Sequence, residues 1–306
     1  MRLAAFNGFP FHYEMFAHVL DYCKNQKKQA QDIDIYTNTV NDYGWLALYE
    51  ETYSVNTWLP ISRFDPSQYD CVILLTDDDR AYAPFWNATT HVVVIEHAAF
   101  RHLPLPAQVF LQTRHMQIRT PPSNPDTWVI PVWDNPPYEK YPALTVVCVG
   151  GGCNMGVHAI RALFSNVDDI RLIFITHNLG VGNIDTHGFP NVTFYHKLDA
   201  EMMLEYVGKS TYLLVAPYLT SSYNYKDQAM SGSIPLAYSV GTPVLMLQSW
   251  ADLYNLPGIV CIPDTSPIEL NYPTTEQLDM FYTERASLLA RRDAVLTKAL
   301  DSSSCI

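Results

Sequence analysis

The sequence predicts an α/β protein built as two lobes, and three observations carry that expectation. Short β-rich runs alternate with helical stretches along most of the 306 residues. Several runs are continuously apolar, as in Val72-Ile73-Leu74-Leu75, which suits strands of a parallel sheet covered on both faces. Between the halves the prolines crowd together at Pro121, Pro122, Pro125, Pro131, Pro136, Pro137 and Pro142. Neither a helix nor a central strand accepts that density. A 48% hydrophobic content over this length supplies two cores of ordinary size.

In the first half, residues 1–7, 32–37, 71–76 and 91–95 read as strands. A helix is expected over 13–23, where Phe16, Val19, Leu20 and Cys23 fall at i, i+3, i+4 and i+7. The second half offers strands at 145–149, 171–176, 192–195, 212–216, 243–247 and 259–262. Helices are expected there at 157–164, 200–207 and 231–239. A last amphipathic helix over 275–300 starts from Thr274 or Thr275 as its cap. The hinge is placed near 133–143. The expected division is 1–135 for the first domain, 136–275 for the second, and 276–306 for a final helix that crosses back. This is a pair of Rossmann-like lobes facing a cleft, with functional loops at the carboxyl ends of the strands.

Charge narrows the function. Lys+Arg 19 against Asp+Glu 31 gives 19 − 31 = −12, and no basic run exceeds a pair such as Lys27-Lys28. A nucleic-acid polymer is not expected as a partner. No apolar run nears the ~20 residues that span a bilayer, and the start lacks the features of a secretory signal. A cytoplasmic chain beginning in its first strand is the expectation. Of the cysteines Cys23, Cys71, Cys148, Cys153, Cys261 and Cys305, none forms a CxxC pair, which disfavours zinc and thioredoxin-type chemistry. Cys71, Cys148 and Cys261 lie in apolar runs, as reduced thiols do. The sequons at Asn87 and Asn191 then read as chance matches.

The most informative segment runs from Ala216-Pro217-Tyr218-Leu219 to Gly241-Thr242-Pro243-Val244-Leu245-Met246. A strand ends, a polar loop follows, and Ser231-Gly232-Ser233 opens a helix that Gly241 closes. Pro235 sits in the first turn, where its missing N–H costs little. Unpaired amides and the helix dipole make such a mouth attractive to anions, and Gly232 lets a phosphate approach the backbone. An ordinary serine N-cap accounts for the same residues.

This segment resembles the donor-binding segment of nucleotide-sugar glycosyltransferases of the GT-B fold, over about residues 212–247. The resemblance implies that Ser231, Gly232 and Ser233 face the donor diphosphate, with Tyr218 at the strand end. The pattern departs where retaining members carry paired glutamates: Gln228 and Leu236 stand there, which tilts the expectation toward inversion. Lys226, and more weakly Lys197, substitute for the family's basic pair. A glycine-rich turn, Gly150-Gly151-Gly152 through Gly156, follows the second half's first strand, and the resemblance puts Gly151 and Gly152 beside the donor. Gly8, after the first strand, joins this donor set.

An inverting transfer needs a base for the acceptor hydroxyl. Strand ends of the first half offer Glu96 and His97, then Asp78, then His12. Asp77-Asp78-Asp79 also matches a metal-binding DxD pattern, but no metal is expected. Phe9, Phe11, Trp45, Tyr49, Tyr53 and Trp58 gather around loops, where they either stack on acceptor sugars or fill the core. The function expected is transfer of a sugar from a UDP- or GDP-linked donor to a hydroxyl acceptor such as a glycan, with no other cofactor. Two alternatives stand beside it. One is a non-catalytic sugar-nucleotide or glycan-binding protein. The other is an NAD(P)-dependent oxidoreductase using the loop at 150–156, against which no acidic residue follows the next strand.

Overall fold

The structure, a computed structural model, describes residues 2–8, 12–25, 33–38, 42–55, 58–75, 90–96, 109–112, 128–150, 156–176, 189–215 and 231–301. Packing divides the chain into two compact units, Met1–Trp133 with Asp227–Met230 and Leu288–Ile306, and Asp134–Lys226 with Ser231–Ser287.

The first unit carries six parallel strands: β1 (Leu3–Asn7), β2 (Ile33–Thr37), β3 (Trp58–Pro60), β4 (Cys71–Leu74), β5 (His91–Glu96) and β6 (Val109–Gln112). They lie in the order β3-β2-β1-β4-β5-β6. Helices α1 (Met15–Asn25) and α2 (Trp45–Tyr53) follow β1 and β2. The second unit carries β7 (Thr145–Val149), β8 (Arg171–Thr176), β9 (Val192–His196), β10 (Tyr212–Val215), β11 (Val244–Leu247) and β12 (Val260–Ile262). Its order is β12-β11-β10-β7-β8-β9, again all parallel. Helices α3 (Gly156–Arg161), α4 (Ala200–Lys209), α5 (Ser233–Val240) and α6 (Gln248–Tyr254) accompany it, and α7 (Thr275–Asp301) ends the described chain.

Numbered within its own sheet, each unit therefore has the doubly wound order 3-2-1-4-5-6. The α/β expectation of two Rossmann-like halves holds. Central strands are buried throughout, as the apolar runs require: Val72, Ile73 and Leu74 are each 0% exposed. Among the described residues no helix is long and apolar enough to cross a membrane.

Local chemistry explains the elements. On α1 the expected stripe of Phe16, Val19, Leu20 and Cys23 is buried, and so are His18 and Asp21. That helix is enclosed on every side rather than on one face. Asp199 caps α4 by accepting the Met202 N–H at 2.8 Å. Helix α7 starts from Thr274 in a reciprocal capping box. Thr274 Oγ1 accepts the Gln277 N–H at 3.2 Å, and Gln277 Oε1 accepts the Thr274 N–H at 2.9 Å.

The aromatic group assigned to loops is mostly core. Trp45, Tyr49 and Tyr53 lie on α2 at helical spacing and are buried. Trp58, on β3, packs against Phe16 and Tyr49 with ring centroids 5.9 and 6.2 Å away. These rings fill the unit instead of presenting faces to a sugar. Phe9 and Phe11 lie outside the described residues.

Candidate functional site

In an open doubly wound sheet the crevice forms beside the first strand, where successive crossovers diverge to opposite faces. That point lies between β7 and β10 in the second unit, and between β1 and β4 in the first.

Beyond β7, Gly150 adopts φ +60° and Gly156, opening α3, adopts φ +76°. Both take the left-handed backbone that favours glycine, and among the described residues nothing lies within 4 Å of where a β-carbon would stand at either. Gly151 and Gly152 lie outside the described residues, as do Tyr218 and Lys226 in the loop after β10. The chain returns at Ser231, one residue before α5's N-cap.

The mouth of α5 is unusual for a serine-rich helix start. Gly232 is the N-cap and contributes no side-chain cap. Ile234 N–H is taken by Ser231 O at 3.1 Å, and Pro235 has no N–H to offer. Ser233 N–H reaches Ser231 Oγ only at 3.4 Å, a long bond. What faces outward is therefore compact: the amides of Gly232 and Ser233, with the hydroxyls of Ser231 and Ser233. Behind them the helix is apolar and buried from Ile234 to Val240. Gly241, φ +71°, closes it. Ser231, Gly232 and Ser233 thus form the mouth itself. Leu236 is buried in the same helix.

Cations hold the other end of α5. Arg285 donates to Tyr238 O at 2.7 Å and to Ser239 O at 3.1 Å, and also pairs with Asp134 at 2.7 Å. Lys140 Nζ donates to Gly208 O at 2.7 Å, to Thr242 Oγ1 at 3.1 Å and to Gly241 O at 3.3 Å. Desolvation pushes the Lys140 ammonium down to about 8, while these acceptors favour its charged form. Positive groups at the carboxyl end of α5 complement its dipole and leave its amino end to negative charge.

In the first unit Gly8 follows β1 directly. His12 adopts φ +63°, and its Nδ1 lies 3.0 Å from Glu14 Oε1. The turn is pinned from two sides. Tyr13 donates its hydroxyl to Asn38 O beyond β2, and Tyr49 of α2 donates to Tyr13 O at 2.9 Å. Glu96 is the last residue of β5, in register with Gln112. Its side chain, with His97 and Asp78, lies outside the described residues. His12 is thus the one sequence-expected base whose side-chain surroundings are described. Sequence reasoning missed its partner Glu14. Among the described residues no group of three or more His, Cys, Asp or Glu could hold a metal ion.

No family model and no curated protein sequence matches the chain. Solved structures do. AviGT4, a glycosyltransferase involved in Avilamycin A biosynthesis, superposes with a TM-score of 0.57 at 11% identity, over 99% of this chain and 98% of that one. The spinosyn forosaminyltransferase SpnP gives 0.50 at 10% identity, over 99% and 95%.

The chain has the GT-B fold.

A putative UDP-N-acetylglucosamine 2-epimerase from Listeria monocytogenes also superposes, with a TM-score of 0.53 at 12% identity over 96% of this chain and 89% of that one. At these identities the likeness is one of fold. The GT-B fold sets where the strand ends lie, and the residues on them must argue the chemistry.

Proposed function

We propose that this protein is a glycosyltransferase that moves a sugar from a nucleoside-diphosphate donor, UDP- or GDP-linked, to a hydroxyl acceptor, with a glycan as the acceptor class. The observation that carries the reading is the mouth of α5, with two amides and two serine hydroxyls at one end of a helix whose other end is held by Arg285 and Lys140. The similar solved structures support the reading, since AviGT4 is a glycosyltransferase, SpnP a forosaminyltransferase and the third a putative UDP-N-acetylglucosamine 2-epimerase.

The second unit's part is to hold the donor. Amides, hydroxyls and the α5 dipole meet the diphosphate as it departs, so charge stabilisation needs no metal. Among the described residues nothing lies within 4 Å of a β-carbon at Gly150 or Gly156, and Gly151, Gly152, Tyr218 and Lys226, which lie outside the described residues, complete the proposed donor set. The first unit's part is to hold the acceptor and supply the base. In the tautomer that donates Nδ1–H to Glu14, the lone pair of the His12 ring is on Nε2. That nitrogen takes the acceptor's proton as its oxygen bonds to the anomeric carbon. The bond from that carbon to the phosphate oxygen breaks, and the diphosphate leaves with the electron pair. Glu96, His97 and Asp78 are proposed for the same role on the sequence alone. Cys71, a cysteine fully buried in an apolar strand, suits a reducing compartment such as the cytoplasm.

Calorimetry with UDP, GDP and their sugars, followed by a transfer assay with the donor that binds, tests the reading. A carboxylate placed at the mouth by Ser231→Asp should abolish donor binding, because it repels the diphosphate. Tight binding of NAD(P) with none of the nucleoside diphosphates would favour the oxidoreductase alternative. Donor binding without transfer or hydrolysis would favour a binding protein.

A further inference from the structure

A helix start without a side-chain cap needs something else to fix it. Gly232 caps α5 with backbone alone, yet Ser231 is held from outside its own helix. The hydroxyl of Tyr254, the last residue of α6, accepts the Ser231 N–H at 3.2 Å. Tyr254 is 2% exposed, and α6 is a firm base for it. Trp250 and Ala251 of α6 are buried. Asp264 accepts the Ser249 N–H at 3.1 Å and its hydroxyl at 2.9 Å, tying down the helix start.

We propose that Tyr254 is a positioning residue for the anion-binding mouth, and that Ser231 Oγ is a placeholder which a phosphate oxygen displaces. The inference rests on the donor-site reading of that mouth and adds how the mouth is set. Ser233 N–H reaches Ser231 Oγ only at 3.4 Å, beyond the usual N–H···O length of about 2.9 Å. An anionic oxygen makes a shorter and stronger bond to the same N–H. The serine hydroxyl, once released, can turn and donate to the anion. Both changes need Ser231 to stay in place while its side chain rotates, and Tyr254 holds the backbone there without occupying the side chain. The ligand class is a diphosphate, either of a nucleoside or inorganic.

The test measures binding of UDP, inorganic pyrophosphate and uridine to the full chain and to Tyr254→Phe. Loss of one hydrogen bond that orients the mouth should weaken UDP and pyrophosphate about fivefold or more and leave uridine unchanged. Tyr238→Phe is the control. It removes a tyrosine hydroxyl that donates to Pro257 O at 3.1 Å, with a similar cost in thermal stability and no selective loss of diphosphate affinity. Equal diphosphate affinity in Tyr254→Phe and wild type overturns the positioning role while the donor site stands. Failure of wild type to bind UDP, GDP or pyrophosphate overturns the donor site and this inference with it. Should Tyr254→Phe not fold, amide exchange in wild type decides. The Ser231 N–H should exchange more slowly than that of Gly232, and an unprotected Ser231 amide overturns the proposal.

Discussion

His18 lies on α1 with both ring nitrogens buried. Burial, and after it the Arg292 cation, push its pKa down from 6.5 to about 3. The ring is neutral in the folded protein and protonates freely in the unfolded chain below pH 6.5. This contribution to stability is therefore present above pH 6.5 and is lost as pH falls toward 3. Between pH 7 and 4.5 the loss should reach about 2 to 3 kcal/mol. Urea midpoints at the two pH values should show a visibly smaller drop for His18→Leu than for wild type. Glu14 gives a second expectation, which follows from the proposed reaction. Glu14→Gln should lower kcat roughly tenfold or more, with donor KM unchanged, because the ring loses the charge that supports its protonated state. A fall in KM alone would remove Glu14 from that role. At this scale the sequence spoke unevenly. Ser231, Gly232 and Ser233 were legible because serine, glycine and Pro235 follow local rules of helix starts. Tyr254 was invisible, since its partner Ser231 is 23 positions away and only folding joins them.

Elements were read best where periodicity was strong. The long apolar strands and the stripe on α1 announce themselves. β3 does not, because it is three residues ending in a proline. Helix α2 was missed although Trp45, Tyr49 and Tyr53 are spaced by four. Its start after Gly44 in a left-handed turn, without a side-chain cap, removed the usual signal. The proline-rich segment after Trp133 is fastened to the second unit by contacts no composition count reveals. Tyr141 N–H donates to Lys209 O at 2.8 Å, and the Tyr138 ring lies against Gly208. A β-carbon on Gly208 would stand 2.0 Å from Tyr138 Cδ2. Gly208→Ala should thus destabilise by about 1 to 3 kcal/mol, despite the gain in helix propensity that alanine brings. Adding Tyr138→Ala should cancel much of the loss in a double-mutant cycle of melting midpoints. Additive losses would show that the ring is not the obstacle.

Within the whole molecule, α7 supplies residues to both units, with Thr275 to Ser287 in the second and Leu288 onward in the first. Its most enclosed charge is Arg292, 1% exposed. It pairs with Asp21 at 2.5 Å and donates to Val132 O at 3.0 Å. Arg292→Leu takes the only described cation away from the buried Asp21 carboxylate, which keeps the Asn25 amide at 3.3 Å, and should cost about 3 to 5 kcal/mol. The pair Asp21→Asn with Arg292→Leu should recover part of that cost in denaturant titrations, since no buried charge remains. No composition argument forecast this ion pair, because its members are 271 residues apart.

The repeated strand order has a consequence for how such a protein can change. Each half winds its own sheet around its own crevice, and the loops that shape one crevice belong to no strand of the other sheet. Under the proposed division of donor and acceptor between the two units, substitutions that retune recognition of one reactant need not disturb the half that serves its counterpart. A lineage built on this plan can therefore trade one reactant for another while keeping the second intact.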